Sequence, residues 1–256
     1  MIRHTARDEV RAKLSRGVPS IGTWMQFKDP SVAEVLASRA FDWVAVDLEH
    51  GTSSISDLPD ICRAIELHQK MPIARMASKD PFDCKRAMDA GLAGVIVPMI
   101  ETPDEVIRVR NAINFPPLGT RGVGFSRANL FGENLAEHLV ADQRAFLVIM
   151  IETKVGVRNI EELAAVDGVD AILLGPYDLS ASLGSVGNFE SHDFRLAVER
   201  VKGVCMQVGR PLGVHVVEND LAELRAKVQE GFTFVPFSID SVVLRGFSPL
   251  PGDLRP

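Results

Sequence analysis

The chain has 256 residues, 28 Lys+Arg against 34 Asp+Glu, a formal net charge of -6 and 46% hydrophobic residues, which suits a compact globular protein and excludes disorder as the main state. No basic face or run of like charges offers a nucleic-acid footprint. No apolar stretch of about 18 residues and no apolar leader after Met1 appears, so neither a membrane span nor export by a signal peptide is expected. Cys62, Cys84 and Cys205 are too scattered for a disulfide framework or a Cys-x-x-Cys site, and point to a reducing cytoplasm.

Short runs rich in Val, Ile and Leu alternate with amphipathic stretches of helical spacing. In chain order the strands are predicted over residues 20–26, 43–48, 71–77, 94–100, 145–152, 169–175, 211–217 and 232–237. The helices are predicted over 31–39, 56–68, 81–90, 103–113, 157–165, 194–208 and 221–229. Early prolines or capping residues open several helices, and glycine closes others, as in Ala90-Gly91, Val208-Gly209 and Glu230-Gly231. Eight βα units with no linker-like break predict one parallel (β/α)8 TIM barrel over residues 1–256, with a doubly wound open sheet as the rival. A Gly/Pro/Arg-containing insertion over 114–134 has the length of a functional loop. After 240–245 only a short helix precedes Pro249, Pro251 and Pro256, so the last barrel helix is expected to be short or replaced by that of a neighbouring subunit.

In such a barrel the chemistry sits where the strands end. The second strand ends in Asp47-Leu48-Glu49-His50-Gly51, the third carries Arg75, the fifth ends in Glu152-Thr153, and the sixth runs into Gly175-Pro176-Tyr177-Asp178. Glu152 and Asp178 offer oxygen ligands only, which suits Mg²⁺ or Mn²⁺; their alternative role is helix capping or surface charge. His50 brings an imidazole to the rim, where that group suits general-base work near neutrality, with Asp47 or Asp89 as carboxylate partner; the alternative is a bond to backbone. Arg75 interrupts an apolar strand and requires an anion, from substrate or from a neighbouring carboxylate. The 175–178 turn can present N–H groups to a small carboxylate, and Trp24 can wall the pocket. No Gly-x-Gly-x-x-Gly or Walker loop supports a nucleotide.

These segments, with Ile21-Gly22-Thr23-Trp24, Phe41 through His50, Val97-Pro98-Met99, Phe115 through Gly124 and Ile151-Glu152-Thr153, resemble the HpcH/HpaI aldolase family of metal-dependent pyruvate aldolases over nearly the whole chain. The resemblance implies a class II aldehyde-lyase that cleaves a 4-hydroxy-2-oxo acid to pyruvate, or a close analogue, and an aldehyde. It implies that Glu152 and Asp178 hold Mg²⁺, Mn²⁺ or Co²⁺, that Arg75 binds the keto oxygen, and that His50 transfers a proton with Asp89 as partner. The backbone pocket for the keto-acid carboxylate falls at Gly175 through Asp178, including Pro176 and Tyr177, and Trp24 and His215 are expected to bind substrate as well. A homo-hexamer, a trimer of dimers with exchanged C-terminal helices, is implied as well. Met150 and His215 stand where better-known members carry other residues, which opens the substrate, and the 125–130 loop is expected to shape the aldehyde end of the pocket. The rival activities are an oxaloacetate decarboxylase, an acyl-CoA hydroxy-acid lyase and a non-catalytic keto-acid binder.

Overall fold

The computed structural model describes residues 2–141 and 144–247. Eight parallel strands close into a barrel in chain order: β1 (Ser20–Met25), β2 (Trp43–Asp47), β3 (Met71–Arg75), β4 (Gly94–Val97), β5 (Phe146–Ile151), β6 (Ala171–Leu174), β7 (Leu212–Val214) and β8 (Phe234–Ile239). The pairing of β8 with β1 removes the open-sheet rival. Most strands are shorter than the apolar runs that predict them, because those runs continue into turns that are themselves buried, as at Ile100 beyond β4.

Outward-facing strand residues meet the helices and inward-facing ones meet each other, so both faces are apolar. Inside, Trp43 stacks on Phe234 with 4.4 Å between ring centroids. A Cβ at Gly22 would come within 2.0 Å of the Trp43 ring, so only glycine leaves room for the indole. A helix over Ile2–Ser15 precedes β1 and has no counterpart among the predicted elements. Its Ala6, Val10 and Leu14, one turn apart, join the inner apolar cluster and plug the end of the barrel where the strands begin. Arg11 clips that helix to Asp170 at 2.7 Å. The open end is the one where the strands finish.

Three details differ from the sequence expectations. The 157–165 helix is two short ones, Lys154–Arg158 and Ile160–Ala164, and another helix, Pro176–Ser182, follows β6. The insertion joins the helix Pro103–Ile113 to β5 and therefore emerges at the plugged end, so within one chain its 125–130 portion does not shape the pocket. Its arginines are clamps: buried Arg121 donates to Asp89 at 2.8 Å, and Arg127 bonds Glu66 across the space that Gly91, at φ +119, leaves open. The final described helix, Asp240–Phe247, is short, and Asp240 ties it to its own β1 by accepting from the N–H groups of Gln26 and Phe27 at 2.9 and 3.0 Å. Pro249, Pro251 and Pro256 lie outside the described residues. Among the described residues, no helix is long and apolar enough to cross a membrane.

The plugged end also holds two histidines, His4 and His138, stacked with 5.8 Å between ring centroids. Burial, and next the charge of Arg3, lower their pKa values to about 2 and about 3. Below pH 6.5 the unfolded chain takes up protons that the folded chain refuses, so stability is full above that pH and falls as acid is added. Two such groups contribute a slope of about 3 kcal/mol per pH unit between about pH 6 and 4. Denaturation midpoints measured across that range should show this slope, and His138→Gln should reduce it by about half.

Candidate active site

The site begins with strand register. β2 and β3 pair with Asp47 directly opposite Arg75, and each residue is the last of its strand. A carboxylate and a guanidinium therefore meet at the open rim without any loop having to bring them there. Arg75 Nε and Nη2 donate to Asp47 Oδ1 and Oδ2 at 2.9 and 2.5 Å, and Nη1 lies 3.2 Å from Glu49. Burial by itself would raise the Asp47 carboxyl; the bonds from Arg75, helped by Trp24 and the His50 N–H, outweigh it and hold the group below the usual carboxylate range. The same Oδ1 accepts the backbone N–H groups of Glu49 and His50, each at 3.1 Å. Asp47, fully buried, thus fixes the guanidinium and the turn that carries the exposed His50.

The Arg75 guanidinium lies 5.4 Å from the Trp24 ring centroid, and Trp24 packs on His215 at 4.9 Å. These residues, with Met150 and the Gly175-Pro176-Tyr177-Asp178 turn, line a cavity of about 360 Å³ at the open end. Asp178 is exposed in the first turn of Pro176–Ser182, and Tyr177 leans edge-on against Phe189. A larger cleft of about 470 Å³ lies at the plugged end, but its Arg210 is already committed to the carbonyls of Ala164 and Val166.

Glu152, the residue after β5, is 2% exposed, and its Oε1 accepts the Met99 N–H at 2.6 Å. Met99 holds φ at +56, a conformation that is costly without glycine. On the other side, a Cβ at Gly175 would lie 2.3 Å from Glu152 Oε2, so that glycine makes the carboxylate's berth. Burial pushes the Glu152 carboxyl up to about 7 against the Met99 bond, and the charges of Asp178 and Glu49 add to the rise. Glu152, Asp178 and Glu49 thus bring three carboxylates within electrostatic reach of one another at the rim.

Asp89 does not join them. It sits at the far end of the helix Pro81–Ala90, which descends from the rim, and it pairs there with Lys85 at 2.7 Å and with Arg121. Within one chain the expected His50–Asp89 pair is absent, because the helix axis separates them. The sequence reading missed the anchoring of Glu152 by Met99. It left the Arg75 partner open, although two apolar strands ending in opposite charges were its signal.

Fold and rim together define a barrel enzyme with a fixed guanidinium, an imidazole and a buried carboxylate at its open end. The family model described as HpcH/HpaI aldolase/citrate lyase matches residues 20–245, and the chain belongs to that family. The 2-dehydro-3,6-dideoxy-6-sulfogluconate aldolase of Pseudomonas putida is 34% identical over 232 residues, 90% of each chain. The hydroxypyruvate/pyruvate aldolase of Deinococcus radiodurans is 33% identical over 90% of this chain and 83% of its own. A solved HpcH/HpaI aldolase/citrate lyase family protein from Burkholderia cenocepacia matches with TM-score 0.87 and 32% identity, over 93% of this chain and 95% of its own.

The raised Glu152 carboxyl has a thermodynamic signature in the metal-free protein. Its folded pKa of about 7 lies above the ordinary 4.5, so its contribution to stability is present below pH 4.5 and is lost as pH rises to 7. Glu152→Gln keeps an oxygen for the Met99 N–H and removes the charge. The variant should be the more stable protein at pH 8 without metal, by up to about 3 kcal/mol, as read by chemical denaturation.

Proposed function

We propose that this aldolase-family enzyme reversibly cleaves a 4-hydroxy-2-oxo acid to pyruvate, or a close analogue, and an aldehyde, with a divalent cation held by Glu152 and Asp178. The observation that carries the reading is the pinned Arg75 beside His50 and Asp178 in one cavity at the strand ends. The donor chemistry fits the cation: oxygens only, with a buried carboxylate whose ionisation is opposed by burial and by the neighbouring Asp178 and Glu49 charges. A divalent cation held by two carboxylates would keep positions for substrate and water oxygens. Mg²⁺, Mn²⁺ or Co²⁺ would supply Lewis-acid polarisation of the bound keto acid.

The chain's own residues do the rest. Arg75 donates to the keto oxygen, on which negative charge grows as the C3–C4 bond breaks and an enolate forms; one such preorganised donor is worth about 10²- to 10³-fold in rate. Because Asp47 already fixes the guanidinium, little reorganisation accompanies that step. His50 takes the proton from the C4 hydroxyl in cleavage and returns it in condensation. In the 175–178 turn the Gly175 N–H is bonded to Ile151 and Pro176 has none, so the N–H groups of Tyr177 and Asp178 face the keto-acid carboxylate.

Three outcomes test the reading. Chelation should abolish pyruvate release from 4-hydroxy-2-oxo acids, and Mg²⁺, Mn²⁺ or Co²⁺ should restore it except in Glu152→Ala or Asp178→Ala. Full activity after exhaustive chelation would overturn the metal assignment. His50→Ala should lower turnover by about 10²- to 10⁴-fold without unfolding the protein. Borohydride with pyruvate should leave the protein's mass unchanged, because Lys79 is occupied by Glu105 at 2.6 Å and Lys154 is exposed beyond β5; a pyruvyl adduct would establish Schiff-base chemistry instead.

A further inference from the structure

Gln26 is the first residue beyond β1. Side chains alternate along that strand, so Trp24 turns into the barrel, Met25 turns out to the helices, and Gln26 turns in again, about 7 Å nearer the mouth than Trp24. Its backbone is held from both sides: the N–H donates to Asp240 at 2.9 Å, and the carbonyl accepts the Thr52 N–H at 2.8 Å and the Thr52 hydroxyl at 3.1 Å. The side chain is held as well. The Ser241 hydroxyl donates to Gln26 Oε1 at 2.7 Å, which turns the amide nitrogen the other way. That nitrogen carries two N–H donors; among the described residues neither is bonded, and Gln26 lines the cavity. Val217 and Ile239 line the same cavity, and their side chains offer no acceptor. Beside the amide, Asp240 is 4% exposed and accepts three backbone N–H groups, those of Gln26, Phe27 and Ser241, with no Lys or Arg paired to it among the described residues. Its uncompensated charge repels a second anion, so the oxygen that suits this amide is a neutral hydroxyl.

We infer that the Gln26 amide donates to a hydroxyl on the aldehyde-derived half of the substrate and is the residue that sets this enzyme's preference for hydroxylated over unsubstituted acceptors. The inference rests on the aldolase reading, which seats the keto acid beside Trp24 and Arg75. Carbons beyond C4 then extend towards the mouth, to the level of Gln26. A methylene there covers the amide and leaves its donors without a partner, whereas a hydroxyl satisfies one of them. Ser241 touches no substrate in this arrangement; it is a positioning residue that acts through the amide.

The test follows condensation of pyruvate, with Mg²⁺ present, onto D-glyceraldehyde, propanal, butanal and succinic semialdehyde. The ratio of kcat/KM for D-glyceraldehyde to that for propanal is read in wild type, Gln26→Leu, Ser241→Ala and Ser241→Thr, with thermal unfolding recorded for each. Comparing this ratio between proteins cancels the intrinsic difference in aldehyde reactivity. Gln26→Leu should lower it by about tenfold, Ser241→Ala should lower it in the same direction, and Ser241→Thr, which keeps the hydroxyl, should hold the wild-type value. An unchanged ratio in folded Gln26→Leu overturns the role of Gln26 and leaves the aldolase reading standing. If that variant unfolds, Ser241→Ala decides, and an unchanged ratio there overturns the proposal. A wild-type preference for succinic semialdehyde over butanal assigns a carboxylate to the amide and overturns the hydroxyl. Condensation with none of the four aldehydes sinks the aldolase reading and this inference with it.

Discussion

The salt bridge between Asp47 and Arg75 is the constraint on which the rest of the rim depends. It joins the last residues of two adjacent strands, so its geometry is set by ladder register, the least adjustable feature of a barrel. A buried ion pair is weak evidence for stability, since desolvation of both charges opposes their attraction. Its value here is positional. One buried carboxylate orients the guanidinium, fixes the turn to His50 through two N–H groups, and reaches Trp24, which in turn supports His215. The opening of the barrel is therefore organised from one side chain outward.

Opposite that pair stands a carboxylate kept under strain. Glu152 is buried, close to two like charges, bonded to a backbone amide whose own residue adopts an unfavourable φ, and seated against a glycine that can carry no side chain. The burial, the like charges and the Met99 φ cost folding free energy, the Met99 N–H bond offsets part of that cost, and none of these features is needed to close the barrel. Strain concentrated at a rim while the strands beneath stay regular is the pattern expected where function opposes stability.

The barrel was legible in the sequence because fully buried strands read as continuous apolar runs, and the βα alternation repeats without a break. Rim residues were legible for a related reason: Asp47, Arg75 and Glu152 are charges set at the ends of such runs, where nothing apolar accounts for them. Less visible was anything that depends on which end of a helix a residue occupies in space. Asp89 and the 125–130 loop lie near rim residues in the sequence reading, yet the chain direction carries both to the plugged end. The Ile2–Ser15 helix was obscured by its charges, since only Ala6, Val10 and Leu14 mark its buried stripe among arginines that turn inward as well.

The N-terminal helix also decides how the cavity meets solvent. With Ala6, Val10 and Leu14 closing the base of a packed interior, the wall formed by Trp24 and Arg75 is reached from the strand-end face. A molecule that binds there enters and leaves on the same side.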